Sequence, residues 1–285
     1  MTLPPSSNIA ICPNPFEDPA RAKQDALALS QKYNLPLSEE LDTPAPMTLG
    51  WVSLKKDPIP KLALHPKESG AVYIDFMGGK KAHRRQFGGG KGQPLIRAMG
   101  KLKEGALPSV IDATAGMGGD SFVIASQGFK VHMLERSVAV AALLEDAIQR
   151  GLTQANELAD PELIKIMQNL TLTQGDSADY LSTQQPVVDV IYMDPMYPEK
   201  KKKAATKKEM KALQDLVGPD RDSERLLLAA LNTARYRVVV KRPKGAPIIQ
   251  CEQPGLVPSA EIASPNTRYD IYAIKALKAS GALPA

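Results

Sequence analysis

One stretch decides the fold: Val110-Ile111-Asp112-Ala113-Thr114-Ala115-Gly116-Met117-Gly118-Gly119-Asp120. A short apolar strand runs into a glycine-rich turn that opens a helix, an arrangement that lets the backbone approach a ligand closely. The turn lacks the Gly-Lys-Ser/Thr ending of a Walker-type phosphate loop. It is a near miss for a dinucleotide fingerprint, because Ser121 stands where Gly or Ala is expected. The turn therefore predicts a nucleotide-like cofactor, and a dinucleotide and an adenosyl group both remain open.

From this stretch onward, apolar strands alternate with amphipathic helices. Strands are predicted over 110–111, 130–134, 170–173, 187–193, 236–241 and 269–274, and helices over 120–127, 138–150, 206–217 and 222–234. Strands that alternate with helices indicate a parallel, doubly wound α/β sheet.

The N-terminal part has a different texture. A strand is predicted over 8–12, a helix over 18–33 closed by Asn34, and a hairpin over 61–64 and 71–76, with several prolines between them. We expect a small α+β appendage over residues 1–92 and one large domain over residues 93–285.

Composition indicates an ordinary globular protein. The 285 residues are 43% hydrophobic and 24% charged, and 36 Lys and Arg against 31 Asp and Glu give a net charge of +5. Two cysteines without paired spacing and three scattered histidines favour neither a disulfide framework nor a metal cluster. Because no leader pattern and no run of roughly 20 apolar residues occurs, we expect a cytoplasmic protein without a membrane span.

Acidic residues follow three further predicted strands. Glu135, which precedes Arg136, could accept hydrogen bonds from the ribose hydroxyls of either cofactor type. Asp176 could accept from an adenine amino group, or it could cap the helix that begins at Ser177. Asp194-Pro195-Met196-Tyr197 combines a carboxylate, a rigid imide and an aromatic ring, which suits a pocket for a base amine, although a proline-rich turn is the alternative.

This series of strand ends resembles the S-adenosylmethionine-dependent methyltransferases with the class I fold. Over roughly residues 70–275 the chain is similar to the ribosomal RNA small subunit methyltransferase J family, through the blocks 72–76, 82–90, 133–136 and 238–243. The resemblance implies a Rossmann-like, seven-stranded, mostly parallel sheet and S-adenosylmethionine as cofactor. It also implies that the target is the exocyclic N2 amine of a guanine in 16S rRNA.

The resemblance implies roles for individual residues. The cofactor site is expected to contain Gly119, Asp120, Glu135, Arg136, Asp176, Ser177 and Asp194, with Asp112, Gly116 and Gly118 from the glycine-rich turn. For catalysis, Asp194 and the Pro195 carbonyl are predicted to accept the two amine hydrogens while Tyr197 stacks on the base. No metal is required. Met196 departs from the proline that is usual at this position.

Basic clusters flank the predicted site, which favours RNA, either 16S rRNA or the small ribosomal subunit, as the partner. The candidate RNA-binding residues are Lys80, Lys81, His83, Arg84, Arg85, Lys200, Lys201, Lys202, Lys203, Lys241 and Arg242. A solvated surface segment is the alternative interpretation of the lysine run.

Three other functions remain open. The first is methylation of a different exocyclic amine, adenine N6 or another guanine N2, in RNA or DNA. The second is a nicotinamide-dependent oxidoreductase that uses the glycine-rich turn for pyrophosphate. The third is a non-catalytic RNA-binding protein.

Overall fold

The computed structural model describes residues 9–38, 47–54, 57–66, 70–78, 92–196 and 222–284. Contacts divide these residues into two compact units. Unit 1 contains the described residues up to Phe76 together with Ser137–Gly151. Unit 2 contains the described residues of Met77–Arg136, Leu152–Glu199 and Pro219–Ala285. The boundary expected after residue 92 stays a prediction, and the contacts group Ser137–Gly151 with the N-terminal residues.

Unit 1 contains a four-stranded sheet and the helix α1. The elements are β1 (Ile9–Ile11), α1 (Pro19–Tyr33), β2 (Met47–Leu54), β3 (Asp57–Pro66) and β4 (Val72–Tyr73), with the strands in the order β1-β2-β3-β4. Helix α1 begins where the Asp18 carboxylate accepts from two backbone N–H groups, and it ends at Asn34 in the left-handed conformation. The predicted first strand, first helix and hairpin are confirmed, whereas β2 was not predicted.

Unit 2 contains seven strands and most of the remaining helices of the described chain. The elements after β4 are α2 (Pro94–Met99), β5 (Val110–Asp112), α3 (Gly119–Ser126), β6 (Val131–Glu135), α4 (Val138–Glu157), α5 (Pro161–Gln168), β7 (Leu170–Gln174), α6 (Ser177–Gln184), β8 (Val190–Met193), α7 (Ser223–Thr233), β9 (Arg237–Pro243), β10 (Ala260–Ala263), β11 (Thr267–Ala273) and α8 (Ile274–Ala279). Helix α4 begins in unit 1 and ends in unit 2.

The seven strands form one sheet in the order β10-β11-β9-β8-β5-β6-β7. The pairs from β9 through β7 are all parallel, and β11 is antiparallel to both of its neighbours. The predicted mostly parallel, seven-stranded α/β sheet is confirmed. Because the chain leaves β5 towards β6 and β7 on one side and returns through β8 and β9 on the other, the carboxyl ends of β5 and β8 meet at a switch point, where ligands bind in such sheets.

Several predicted bounds were wrong. Strand β8 begins at Val190 rather than Val187, whose side chain is 79% exposed. The physical reason is that Asp189 turns aside to accept hydrogen bonds from the backbone and hydroxyl of Ser109, at 2.9 and 2.8 Å. Helix α4 continues to Glu157, beyond the predicted end at Arg150. The helix predicted over 206–217 lies outside the described residues.

Burial explains why β8 sits in the middle of the sheet. All four of its side chains are buried, as expected for a central parallel strand. Ile191 belongs to the same hydrophobic core as Val238 of β9 and Leu227 of α7. No helix in the described part of the chain is long and apolar enough to cross a membrane.

Unit 1 also contains a buried charge network, formed by Lys61, Asp75, Asp146 and Arg150. The Lys61 side chain is fully buried, and its Nζ lies 3.6 Å from Asp75 Oδ2. Arg150 Nη2 donates to Asp146 Oδ2 and to the Ile74 carbonyl, both at 2.7 Å. Burial raises the pKa of Asp146, while the Arg150 charge acts to lower it. Among the described residues, this network pairs two cations with two carboxylates.

Candidate active site

The glycine-rich turn between β5 and α3 takes the shape that the sequence predicts. Gly116 and Gly118 have φ values of 51° and 66°, in the left-handed region that glycine tolerates best. The Gly116 N–H donates to Glu135 Oε2 at 2.9 Å, which ties the turn to the end of β6. A Cβ added at Gly119 would meet nothing within 4 Å. Backbone at the start of α3 therefore faces space that a ligand could fill.

Asp112 closes the base of this turn. Its side chain is 2% exposed and accepts hydrogen bonds from the Thr114 N–H at 3.1 Å and from Ser121 Oγ at 2.5 Å. The pKa of Asp112 is raised to about 7, chiefly by burial and also by the charges of Asp120 and Asp194, while the two hydrogen bonds act to lower it. The carboxyl group acts from beneath the turn and shapes its path.

The ends of β6 and β7 present the other predicted cofactor residues. Glu135 is 6% exposed at the last position of β6. Arg136 follows it, with its carbonyl accepting from Gln174 Nε2 at 3.2 Å and its Nη1 lying 3.5 Å from Asp222 Oδ1. Glu135 thus contacts the glycine-rich turn through its carboxylate, and the Arg136 backbone is tied to the end of β7.

Asp176 is the N-cap of α6, as the alternative interpretation expected. Its Oδ1 accepts from the Asp179 N–H at 2.9 Å and lies 2.7 Å from Arg225 Nη2. Ser177 Oγ donates to the Ala113 carbonyl at 2.7 Å, which links this helix start to the end of β5. Arg225 could not be predicted from the sequence, because its partners become neighbours only when α7 packs beside α6.

Asp194 follows β8 directly and is held from two sides. Its backbone N–H donates to Thr114 Oγ1 at 2.6 Å, so the ends of β5 and β8 are joined. Its Oδ2 lies 2.7 Å from Lys241 Nζ, and the same Nζ lies 2.7 Å from Asp120 Oδ2. Tyr192 donates its hydroxyl to Asp120 Oδ2 at 2.7 Å.

Asp112, Asp120, Asp194, Tyr192 and Lys241 are together termed the Asp–Lys cluster. Burial alone would lower the pKa of Lys241, but the charges of Asp194 and Asp120 outweigh burial and raise it. Burial and the same carboxylates raise the pKa of Tyr192. Lys241 is therefore a cation and Tyr192 a neutral phenol at neutral pH. Thr114, Ser121 and Tyr192 were not among the predicted site residues.

Lys241 and Arg242, both predicted to contact RNA, have partners within the protein. The Lys241 charge is shared between two carboxylates. Arg242 is 5% exposed, and its Nη2 donates to the Pro247 carbonyl at 3.0 Å. These contacts give the Arg242 guanidinium a partner within the protein, and its predicted RNA contact stays a prediction.

The remaining predictions fall partly outside the described residues. Pro195 is buried and Met196 half-buried. The predicted stacking residue and most of the predicted RNA-binding residues lie outside: Tyr197, Lys80, Lys81, His83, Arg84, Arg85, Lys200, Lys201, Lys202 and Lys203. Within the described ranges, no group of three or more His, Cys, Asp or Glu side chains is arranged to hold a metal ion.

Comparison with known proteins decides the family. The family model of SAM-dependent methyltransferases, SAM_MT, matches residues 29–274. Ribosomal RNA small subunit methyltransferase J of Hydrogenovibrio crunogenus is 57% identical over 268 residues, covering 90% of this chain and 94% of that protein. The chain belongs to the ribosomal RNA small subunit methyltransferase J family.

Other members and a solved structure agree with this assignment. The protein of the same name from Aeromonas salmonicida is 44% identical over 267 residues, covering 93% of this chain and 98% of that protein. The crystal structure of a SAM-dependent methyltransferase from Neisseria gonorrhoeae, 28% identical, superimposes with a TM-score of 0.64 over 93% of this chain and 95% of that one. The resemblance found in the sequence is confirmed.

Membership of this family makes S-adenosylmethionine the cofactor, and the residues present fit it. The backbone at Gly119 is open to a ligand, and the Glu135 carboxylate at the neighbouring strand end is of the type that accepts from ribose hydroxyls. The nicotinamide-dependent oxidoreductase that the turn alone left open is thereby set aside.

Proposed function

We propose that this protein transfers a methyl group from S-adenosylmethionine to the exocyclic N2 amine of a guanine in 16S rRNA of the small ribosomal subunit. Its relatives are named as methyltransferases of small-subunit ribosomal RNA. The observation that carries the proposal is the Asp194 carboxylate at the end of β8, fixed beside the glycine-rich turn by Thr114 and Lys241.

The chemistry requires hydrogen-bond acceptors more than a strong base. The guanine N2 lone pair is delocalised into the ring, and acceptors on the two amine hydrogens localise it on nitrogen. We infer that Asp194 and the Pro195 carbonyl accept these hydrogens while Tyr197 stacks on the base. When bound, S-adenosylmethionine supplies an electrophilic methyl group on a positively charged sulfur.

Fixed geometry is the contribution of the protein. Because the backbone of Asp194 is tied to Thr114 and its carboxylate to Lys241, the direction in which the carboxylate accepts is set before the base arrives. Orientation of this kind lowers the barrier by several kcal/mol, on the order of that found for well-oriented intramolecular reactions. Asp194 is also the group placed to receive the amine proton after transfer.

We infer that the cofactor lies along the strand ends of β5, β6 and β7. Gly119 and Asp120 would line the methionine side, Glu135 and Arg136 the ribose, and Asp176 and Ser177 the adenine. For Asp176, the cap and the Arg225 pair both use Oδ1. A carboxylate has lone pairs enough on its two oxygens to serve a cap and a ligand together.

RNA is the proposed partner, in the cytoplasm where ribosomal subunits are made. The basic clusters at 80–85 and 200–203 carry this part of the proposal by their charge alone. Replacement of Lys200–Lys203 by glutamine should weaken RNA binding and lower its salt dependence, because fewer counterions are released. A salt slope equal to that of the unmodified protein would contradict a phosphate contact by this run.

Methylation of another exocyclic amine is the second candidate. It is favoured by the same segment, because Asp194-Pro195-Met196-Tyr197 presents acceptors that suit adenine N6 as well as guanine N2. The methylated nucleoside distinguishes the two.

The test is transfer of tritiated methyl groups to small subunits and to free 16S rRNA from cells that lack the endogenous modification, followed by nucleoside analysis. We expect N2-methylguanosine as the labelled product. N6-methyladenosine would support the second candidate, and no label in either substrate would overturn methyl transfer to 16S rRNA. The Asp194→Ala variant is the matched control, since it removes the acceptor and leaves the basic clusters intact.

A further inference from the structure

The Lys241 ammonium group bridges two carboxylates that have different proposed tasks. We propose that Lys241 is a positioning residue for methyl transfer, which holds the base-binding carboxylate of Asp194 in place and links it to Asp120 on the cofactor side. The proposal rests on the proposed function, because it takes Asp194 as the acceptor for the base amine.

Strand register brings these groups together. Strands β8 and β9 are parallel neighbours, with Met193 opposite Val240. The next residue on each strand is therefore Asp194 on one and Lys241 on the other, side by side at the carboxyl edge of the sheet. Lys241 Nζ reaches Asp194 Oδ2 and Asp120 Oδ2 at 2.7 Å each. Such a bridge follows from the fold itself and needs no loop to form it.

Partial burial makes this bridge stronger than a surface ion pair. The Lys241 side chain is 26% exposed, and those of Asp120 and Asp194 are 20% and 40% exposed. Charges in such surroundings interact at a lower effective dielectric than in water. A phosphate could bind Lys241 only by competing with two carboxylates already in contact, so an RNA backbone contact is the weaker assignment for this residue.

The bridge also controls the charge of Asp194. In the described part of the chain, the titratable groups that face Asp194 include Lys241 from β9, Asp120 from α3, Asp112 from β5 and Tyr192 from β8. Two of these are carboxylic acids, and a carboxylate favours protonation of Asp194 wherever it is itself ionised. Lys241 is the cation that opposes them. A protonated Asp194 would lose acceptor capacity for the base amine.

The test compares Lys241→Met with Lys241→Arg. We expect Lys241→Met to lower kcat at pH 7 by about 100-fold, as for removal of a group that fixes a charged site. The acidic limb of its kcat profile should move to higher pH, because Asp194 has lost the cation that contacts it. Lys241→Arg keeps the charge, so it should restore the acidic limb and recover kcat to within about tenfold of the unmodified protein. KM for RNA should change little in either.

Controls separate this role from general effects. Lys130 is exposed and precedes β6 at the opposite edge of the sheet, so Lys130→Met removes one positive charge without touching the site and should leave kcat and the pH profile unchanged. Calorimetric titration with S-adenosylmethionine reports separately on the Asp120 end of the bridge. If Lys241→Met does not fold, Lys241→Gln carries the same test, since it is polar but uncharged.

Several outcomes would overturn the proposal. One is an unmoved acidic limb with equal losses of kcat in Lys241→Met and Lys241→Arg, which indicates a packing role. Another is an unchanged kcat with a raised KM for RNA and a lower salt slope, which indicates a phosphate contact. Asp194→Ala is assayed alongside. If that variant is active, the proposed role of Asp194 fails, whereas an inactive Asp194→Ala with a fully active Lys241→Met overturns the role of Lys241 alone.

Discussion

Two groups of charged side chains, one in each unit, each contain a lysine but differ in charge balance. Within the described residues, the charge network of unit 1 pairs Lys61 and Arg150 with Asp75 and Asp146. The Asp–Lys cluster of unit 2 places Lys241 among three carboxylic acids, counted over the same described ranges.

The difference separates a stabilising arrangement from one suited to a ligand. In unit 1 each cation has a carboxylate, and Arg150 also donates to a backbone carbonyl, so burial of the charges is compensated within the chain. An excess of acceptors, as in the Asp–Lys cluster, costs stability until donor hydrogens or a positive charge arrive. A base amine supplies the first and a sulfonium the second. The excess of carboxylic acids over cations therefore marks the candidate active site more clearly than the burial of its side chains does.

The largest effect is expected where the acceptor excess acts on substrate. Asp194→Ala should lower kcat by about 1000-fold, which corresponds to about 4 kcal/mol of transition-state stabilisation. The free energy of unfolding should change by less than about 1 kcal/mol, because Asp194 is 40% exposed. Single-turnover methyl transfer and urea denaturation measure the two quantities. A kcat within tenfold of the unmodified protein would contradict a role of the Asp–Lys cluster in binding the base amine.

In the balanced network, removal of one partner should affect stability. Arg150→Met removes the cation that is hydrogen-bonded to the Asp146 carboxylate and should lower the free energy of unfolding by about 3 kcal/mol, measured in urea. The double variant Arg150→Met/Asp146→Leu replaces the pair by apolar groups and should recover most of that loss. Equal stability of the single and double variants would show that the loss does not come from an unpaired Asp146 carboxylate.

Asp112 tests the cluster through pH. Its pKa in the folded protein, about 7, lies above the ordinary 3.8, so the folded chain keeps a proton that the unfolded chain releases. Its contribution to stability is complete below about pH 4 and is lost as pH rises to 7. Asp112→Asn does not titrate. Its stability relative to the unmodified protein should therefore rise by about 3 kcal/mol between pH 4 and 7 and stay level above.

Denaturation by urea at a series of pH values measures this difference. Parallel curves of stability against pH for the two proteins would mean that the pKa of Asp112 is the same in the folded and the unfolded chain. The raised pKa of Asp112 would then be wrong.

The smallest effect is expected for the exposed pairs around Arg225. Arg225 contacts Asp176, Asp179 and Asp222, but its side chain is 48% exposed, and such pairs contribute only about 1 kcal/mol. Arg225→Gln should weaken binding of S-adenosylmethionine about fivefold by calorimetry, because Asp176 loses one support. Arg21→Gln, on the exposed face of α1, is the matched control. A larger loss would mean that this third group of charges belongs with the Asp–Lys cluster.

Local patterns predicted much of the fold and part of the site. Strand β5 with its glycine turn and the buried strand β8 were foreseen because length, β-branched residues and glycines announce them locally. Strand β10 was missed because its side chains are mostly exposed and show no alternation.

Pairings between distant residues were beyond local reasoning. Lys241 was assigned to RNA from its charge, and only the register between β8 and β9 brings it to Asp194. Arg225 reaches Asp176 through the packing of two helices. Neither contact can be predicted from spacing along the chain. The acidic residues at strand ends were predicted because the fold class places residues at that edge of the sheet.

Helix α4 has a consequence for the order in which the newly made chain can fold. Its first part, through Gly151, belongs to unit 1, yet β5 and β6 of unit 2 lie before it in the sequence. A nascent chain that ends at residue 92 has all four strands of the first sheet but not Arg150, so Asp75 lacks one of its two cations. Unit 1 is therefore completed only after the first strands of unit 2 have been synthesised. During synthesis from the N-terminus, neither unit is finished before the other has begun.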